Sequence, residues 1–205
     1  MAAILLSGIL LRRKQRPYDY NAIFLRLLSG VDPETGERWA WRDPGFARRP
    51  RLFVVQAGLA TAVMLAILSF VHSLSSAAIA AGLASSVVGI FIAPSNPTSR
   101  IRSVVGGHGV ALLLGSVFSA LLFLGPVEAF LNDQQILLHL SFATAVGMAM
   151  LLMAITNSEH PPAAGTALGM ASREFDLPIF FSIIGAVALL AVIKLVIRPY
   201  LQDLT

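Results

Sequence analysis

Two short stretches of this sequence carry most of its chemically capable side chains. In the first, residues 93–103 read APSNPTSRIRS, and Ser95, Asn96, Arg100 and Arg102 lead on to Gly106, Gly107 and His108. The second is Asn157, Ser158, Glu159, His160, Pro161 and Pro162. Arginine stays charged and grips an oxyanion with two parallel hydrogen bonds. Histidine changes charge near neutral pH. The glycines would let a ligand approach the backbone. Two prolines suit the first turn of a helix, where no donor is lost. Free N–H groups at such a start, with the positive end of the helix dipole, favour an anion. The chemistry suggested is recognition of a small inorganic anion. Plainer readings stand beside it. Arg100 and Arg102 would also serve as positive anchors beside a membrane, His108 as a packing histidine, His160 as part of a capped turn, and Glu159 as a solvated interfacial group. His72 and His139, alone near the ends of apolar runs, read as structural.

Other chemistries find less support. The chain has no cysteine, so disulfides and thiolate metal sites are excluded. It has no HExxH, no paired carboxylates and no Ser-His-Asp pattern. An intramembrane enzyme using His108, His160 and Glu159 as metal ligands or acid–base groups is the weaker alternative. A non-transporting scaffold or regulatory subunit is another. No cofactor or resident metal is expected.

The elements that position these residues are apolar. The 205-residue chain is 56% hydrophobic and 13% charged, where a soluble domain carries about 25% charged residues. Its mean hydropathy is +0.76. These values indicate an all-α, polytopic membrane protein with five or six helices that cross or dip into the bilayer. Of its 15 Lys and Arg, only Arg100, Arg102, Arg173, Lys194 and Arg198 lie beyond residue 51. That gradient fits a cytoplasmic face beside anionic lipid and not a nucleic-acid groove. Residues 1–51 are read as a basic, cytoplasmic, partly interfacial segment, and 52–205 as the transmembrane domain. Within the first, 1–11 is too short to span, 19–29 suits a short amphipathic helix capped by Asp19, and Trp39 and Trp41 suit the headgroup region.

Spans are expected at 52–71, 76–93, from 101 or 104 to 124, 136–155 and 177–197. A short Gly-containing helix should follow Pro161 and Pro162, and 125–135 should be an external loop. Lys194 and Arg198 at the cytoplasmic end of the last span require the short helix to cross. Six segments with both termini cytoplasmic, in a bacterial inner (plasma) membrane, are therefore favoured over five spans and a re-entrant hairpin. The small-residue faces of the second span and of Gly165 and Gly169 would allow a homodimer. The two polar stretches, each following a small-residue span, should lie side by side.

The same stretches resemble the HPP family of integral membrane proteins, named for its His-Pro-Pro motif. That motif stands here as His160, Pro161 and Pro162 within TNSEHPPAAGTAL. A second hallmark, a run ending in GGH, appears as RSVVGGHG at 102–109, and ASSVVGIFIAP at 84–94 is similar too. The resemblance covers residues 55–199. It implies four transmembrane helices, with cytoplasmic CBS domains in some members that this chain has no room for. It also implies an anion substrate, since some plant and cyanobacterial relatives are linked to nitrite transport.

Overall fold

The computed structural model describes residues 44–70 and 77–204. The expectations for 1–11, 19–29, Trp39, Trp41 and His72 lie outside the described residues. After a single helical turn, Pro44–Arg48, the described residues form seven α-helices: α1 Pro50–Phe70, α2 Ala77–Ile92, α3 Ile101–Leu122, α4 Gly125–Asp133, α5 Gln135–Ile155, α6 Ala163–Ala171 and α7 Leu177–Ile197. Among the described residues there is no strand. Among the described residues four helices, α1, α3, α5 and α7, are long and apolar enough to cross a membrane. The chain is a polytopic helical membrane protein.

Local chemistry sets the helix ends. Pro94 and Pro97 cannot continue α2. Asp176 caps α7, its carboxylate accepting from the Ile179 N–H at 3.4 Å, with Pro178 in the first turn. The 125–135 connector, expected to be a loop, mostly folds as α4. Pro126 presets its first turn, and Glu128 complements the positive helix end there.

The short helix α6 lies at the centre, packed on α2, α3 and α5. Its 9 residues extend about 14 Å, less than half of a roughly 30 Å hydrocarbon layer. Non-helical chain extends it on either side. The Arg102 guanidinium donates to the Thr156 carbonyl at 3.1 Å, and the Ser119 hydroxyl donates to the Arg173 carbonyl at 2.6 Å. The chain from 156 to 173 therefore rises beside α3 from Arg102 to Ser119, about 25 Å at 1.5 Å per residue. From that end α7 returns, and its Lys194 donates to the Ser99 carbonyl. The Arg49 guanidinium, just before α1, donates to Gln202 at 3.0 Å, so the start of α1 and the C-terminal tail share one end of the bundle. Among the described residues, four long helices and the shorter α2 and α6 build this bundle.

The helix contact at the centre is backbone on backbone. A Cβ on Gly165 would lie 2.7 Å from the Ala78 carbonyl oxygen, and one on Gly82 would lie 2.8 Å from the Pro162 carbonyl oxygen. These are among the small residues from which a homodimer contact was expected. The structure uses Gly82 and Gly165 within one protomer, because only glycine lets α2 and α6 approach this closely.

Candidate functional site

The first polar stretch is a folded break between α2 and α3. Asn96 caps the turn Pro97–Ser99, its side-chain oxygen accepting from the N–H and the hydroxyl of Thr98, both at 2.9 Å. Hydroxyls bind it to its flanks: Ser99 donates to the Gly89 carbonyl at 3.1 Å, and Ser103 to the Pro97 carbonyl at 3.0 Å. Backbone outside a helix is tolerated at membrane depth only where its groups are satisfied in this way.

The second stretch ends α5 with its own geometry. Asn157 has φ +50°. The Ser158 N–H donates to the Met153 carbonyl at 2.9 Å, and the Asn157 N–H to Ala154 at 3.3 Å. This pair of bonds is a left-handed helix stop, and asparagine tolerates that conformation better than most residues. Asn157 also borders a small cleft, but its residue type is accounted for by the stop.

From there the chain turns inward and places His160 against α3. His108 and His160 meet through a residue that sequence reasoning did not single out. The Ser86 hydroxyl on α2 lies 2.8 Å from His108 Nε2 and 2.8 Å from His160 Nε2. His108 Nδ1 is 2.8 Å from the Thr166 hydroxyl, and His160 Nδ1 is 2.8 Å from the Thr98 carbonyl oxygen. The imidazole centroids are 5.1 Å apart. Exposure is 0% for Ser86 and Thr166, 1% for His108 and 3% for His160. Helices α2, α3 and α6 and both chain breaks thus converge on one buried network.

Two expectations are corrected by this arrangement. Gly106 and Gly107 do not open the backbone to a ligand: a Cβ on Gly106 would lie 2.8 Å from Ser158 Cβ, and one on Gly107 would lie 2.6 Å from His160 Cβ. They are small so that 158–160 can lie on α3. The start of α6 does not present free donors either. The N–H groups of Ala163, Ala164 and Gly165 bond to the carbonyls of His160, Pro161 and Pro162 at 2.9, 3.0 and 3.1 Å. The prolines form tight turns that occupy these donors before a ligand arrives.

Cationic groups gather beside Thr98, at one edge of this network. Arg100 and Arg102, with Thr98, Asn157 and Glu159, line a small cleft of about 90 Å³ between the two stretches. Arg100 also lines a half-open cleft of about 790 Å³ with Lys194, Arg198, Ser95 and Asp203. Lys194, expected only as an anchor at a span end, is 4% exposed and donates to the carbonyls of Ser99 and, at 3.4 Å, Pro94. The larger cleft thus holds three cationic side chains and one carboxylate. That carboxylate is engaged already: Asp203 accepts from the Ser95 hydroxyl, and from the Ser95 N–H at 3.1 Å. The tail is fixed further by the Leu204 N–H on the Ile92 carbonyl at 2.8 Å, and by buried Gln56, which donates to the Phe91 carbonyl at 2.6 Å and accepts from the Gln202 N–H at 3.2 Å.

Asp203 sets an acid limit on the tail. The Ser95 hydroxyl, then the Ser95 N–H, hold its carboxyl below the usual range. A depressed folded-state value stabilises the tail above the ordinary carboxylate range, and the contribution is lost as pH falls through that value. A nitroxide on Leu204→Cys, in a chain otherwise free of cysteine, should stay immobile from pH 8 to 5 and loosen only below about pH 4. In Asp203→Asn this acid transition should vanish. Loosening already at pH 6, or an unchanged transition in the variant, would contradict the assignment.

Comparison with known proteins identifies the fold family. Residues 47–202 match the family described as HPP, transmembrane region. The chain belongs to the HPP transmembrane family. Two transmembrane proteins of Dictyostelium discoideum are similar to this HPP protein, one 34% and one 36% identical, each over 85 residues or 42% of this chain. The matched segment is 27% of the first relative and 24% of the second, so the alignment spans about a quarter of each. No solved structure matches the chain. The HPP signature itself falls on the histidine at the centre of the network and on the two prolines that turn the chain into α6.

Proposed function

We propose that this protein carries a small inorganic anion across the membrane, with nitrite as the foremost candidate. The observation that carries the reading is the larger cleft, where Arg100, Lys194 and Arg198 face a single carboxylate already engaged by Ser95. Among the described residues neither Arg100 nor Arg198 has a carboxylate partner. A surplus of fixed positive charge in a concave site raises the local anion concentration. Beside it, the 90 Å³ cleft is lined by Thr98, whose carbonyl accepts from His160. The His108–Ser86–His160 network then acts as the closed part of the path. Polar groups within a membrane bundle mark such pathways by default. The basic residues of α1's start, the first chain break and α7's end share one face, which is assigned to the cytoplasm.

Proteoliposomes containing the protein should take up nitrite faster than empty vesicles, with nitrate, formate and chloride as comparisons. Arg100→Ala should lower the nitrite rate by roughly tenfold or more, since tenfold is about 1.4 kcal/mol and a hydrogen bond to a charged group contributes about 1.5–3 kcal/mol. Arg100→Lys should be milder if charge alone acts, and equally severe if two parallel hydrogen bonds are needed. Uptake no faster than that of empty vesicles for all four anions would remove the reading.

A further inference from the structure

The hydrogen-bond network at the centre has more specific content than its distances alone. A carbonyl oxygen only accepts, so His160 Nδ1, 2.8 Å from the Thr98 oxygen, carries a proton. In a neutral imidazole Nε2 is then bare and must accept, and the group in reach is the Ser86 hydroxyl at 2.8 Å. Ser86 has one proton. Two acceptors compete for it, His160 Nε2 at 2.8 Å and the Gly82 carbonyl at 2.9 Å. That carbonyl already accepts within its own helix, whereas a bare Nε2 has no other donor, so the proton goes to His160. The Ser86 oxygen then accepts from His108, so His108 Nε2 carries the proton of that 2.8 Å bond. His108 Nδ1 is then bare and accepts from the Thr166 hydroxyl. The neutral network has one polarity, from Thr166 through His108, Ser86 and His160 to Thr98, and the two histidines are opposite tautomers.

We propose that His108 and His160 share one exchangeable proton, passed between them by the Ser86 hydroxyl. The transfer balances without any further reactant. With the extra proton on His108, its Nε2–H bond breaks and the proton joins the Ser86 oxygen. The Ser86 O–H bond breaks at the same time, and that proton joins His160 Nε2. Ser86 ends as a neutral hydroxyl with its new proton toward His108. The positive charge has moved from one imidazole to the other. The charge-neutral His108 keeps its Nδ1 proton and donates it to the Thr166 oxygen, whose hydroxyl rotates. The Gly82 carbonyl, 2.9 Å from Ser86 Oγ, offers the serine proton a resting place if both Nε2 atoms are protonated.

The surroundings suit a single carried charge. Helices α2 and α6 bring no charged or other titratable side chain, and α5 brings only exposed His139, near the opposite end. Lys194 on α7 is the cation acting on His160. Arg100, Arg102 and Glu159 line a cleft with Thr98, at the edge of the network. On its other side His108 meets an aliphatic slot of about 180 Å³ lined by Leu112, Ile183 and Val187, so the hydroxyl is the polar route between the rings. If the anion reading holds, this proton is what would accompany or gate the anion; the proton pair itself is tested without it.

The test is nitrogen-15 NMR of histidine-labelled protein in lipid bilayers, with His72→Asn and His139→Asn removing the other two histidines. At high pH the remaining pair should show opposite tautomers, Nδ1–H for His160 and Nε2–H for His108. On acidification the pair should take up one proton, with both rings shifting together by exchange. Ser86→Ala should abolish that exchange, and Ser86→Thr should preserve it. Matching tautomers, two independent protonations, or exchange that survives in Ser86→Ala would overturn the proposal. A positive NMR result with no nitrite uptake in vesicles would leave the proton pair standing and remove the anion reading instead.

Discussion

A His160→Ala protein is expected to reach the membrane and fold, but to carry nitrite at less than about a tenth of the wild-type rate. The imidazole satisfies the Thr98 carbonyl and the Ser86 hydroxyl, both at 2.8 Å. Removing it leaves buried polar groups without partners, a loss of about 1–3 kcal/mol, and tenfold in rate corresponds to about 1.4 kcal/mol. His160→Asn separates structure from transport. Its amide can still donate to the Thr98 carbonyl from near the place of Nδ1, but it does not reach Ser86. The asparagine variant should therefore recover stability and not flux. His108→Ala should lower flux similarly, since His108 is the other neighbour of Ser86. Membrane content, thermal unfolding and nitrite flux at several pH values decide the matter. Wild-type flux with unchanged pH dependence in both alanine variants would make these histidines structural.

Gly165→Ala is expected to destabilise the bundle by about 1–3 kcal/mol or more, the range for overpacking a tight site. The added Cβ would meet the Ala78 carbonyl oxygen at 2.7 Å and Gly82 Cα at 3.0 Å, both backbone atoms that cannot rotate away. Helix α6 would have to withdraw from α2, carrying Thr166 away from His108. Gly147→Ala on α5 is the matched control, because a Cβ there meets nothing within 4 Å. Alanine in a helix interior is favoured over glycine by about 0.5–1 kcal/mol, so that variant should be neutral or slightly stabilised. Thermal unfolding in detergent should show a fall of about 2–4 °C per kcal/mol for Gly165→Ala. Equal melting of the two variants would mean that the α2–α6 contact is looser than described.

The local properties of the chain determined the membrane architecture. Long apolar runs bounded by charge and proline place α1, α3, α5 and α7 within a few residues, because span length and helix breaking are set by nearby sequence. The His-Pro-Pro and Gly-Gly-His stretches identified the family for the same reason. Helix α4 was not legible, since a nine-residue helix with mixed polarity has too short a repeat to stand out from a loop. The roles of the polar residues depended on contacts between distant segments. Ser86 and Ser85 look equivalent in an apolar run, yet only Ser86 is buried. Its hydroxyl also reaches the Gly82 carbonyl of its own helix at 2.9 Å, so no unsatisfied group in the sequence pointed to a partner 74 positions away. Lys194 reads as a span-end anchor until the break at 93–100 folds over it and its carbonyls receive the ammonium. Gly106, Gly107 and Gly165 allow a close approach by many kinds of neighbour. Tertiary packing alone decided that the neighbour was another stretch of this chain and not a ligand or a second copy.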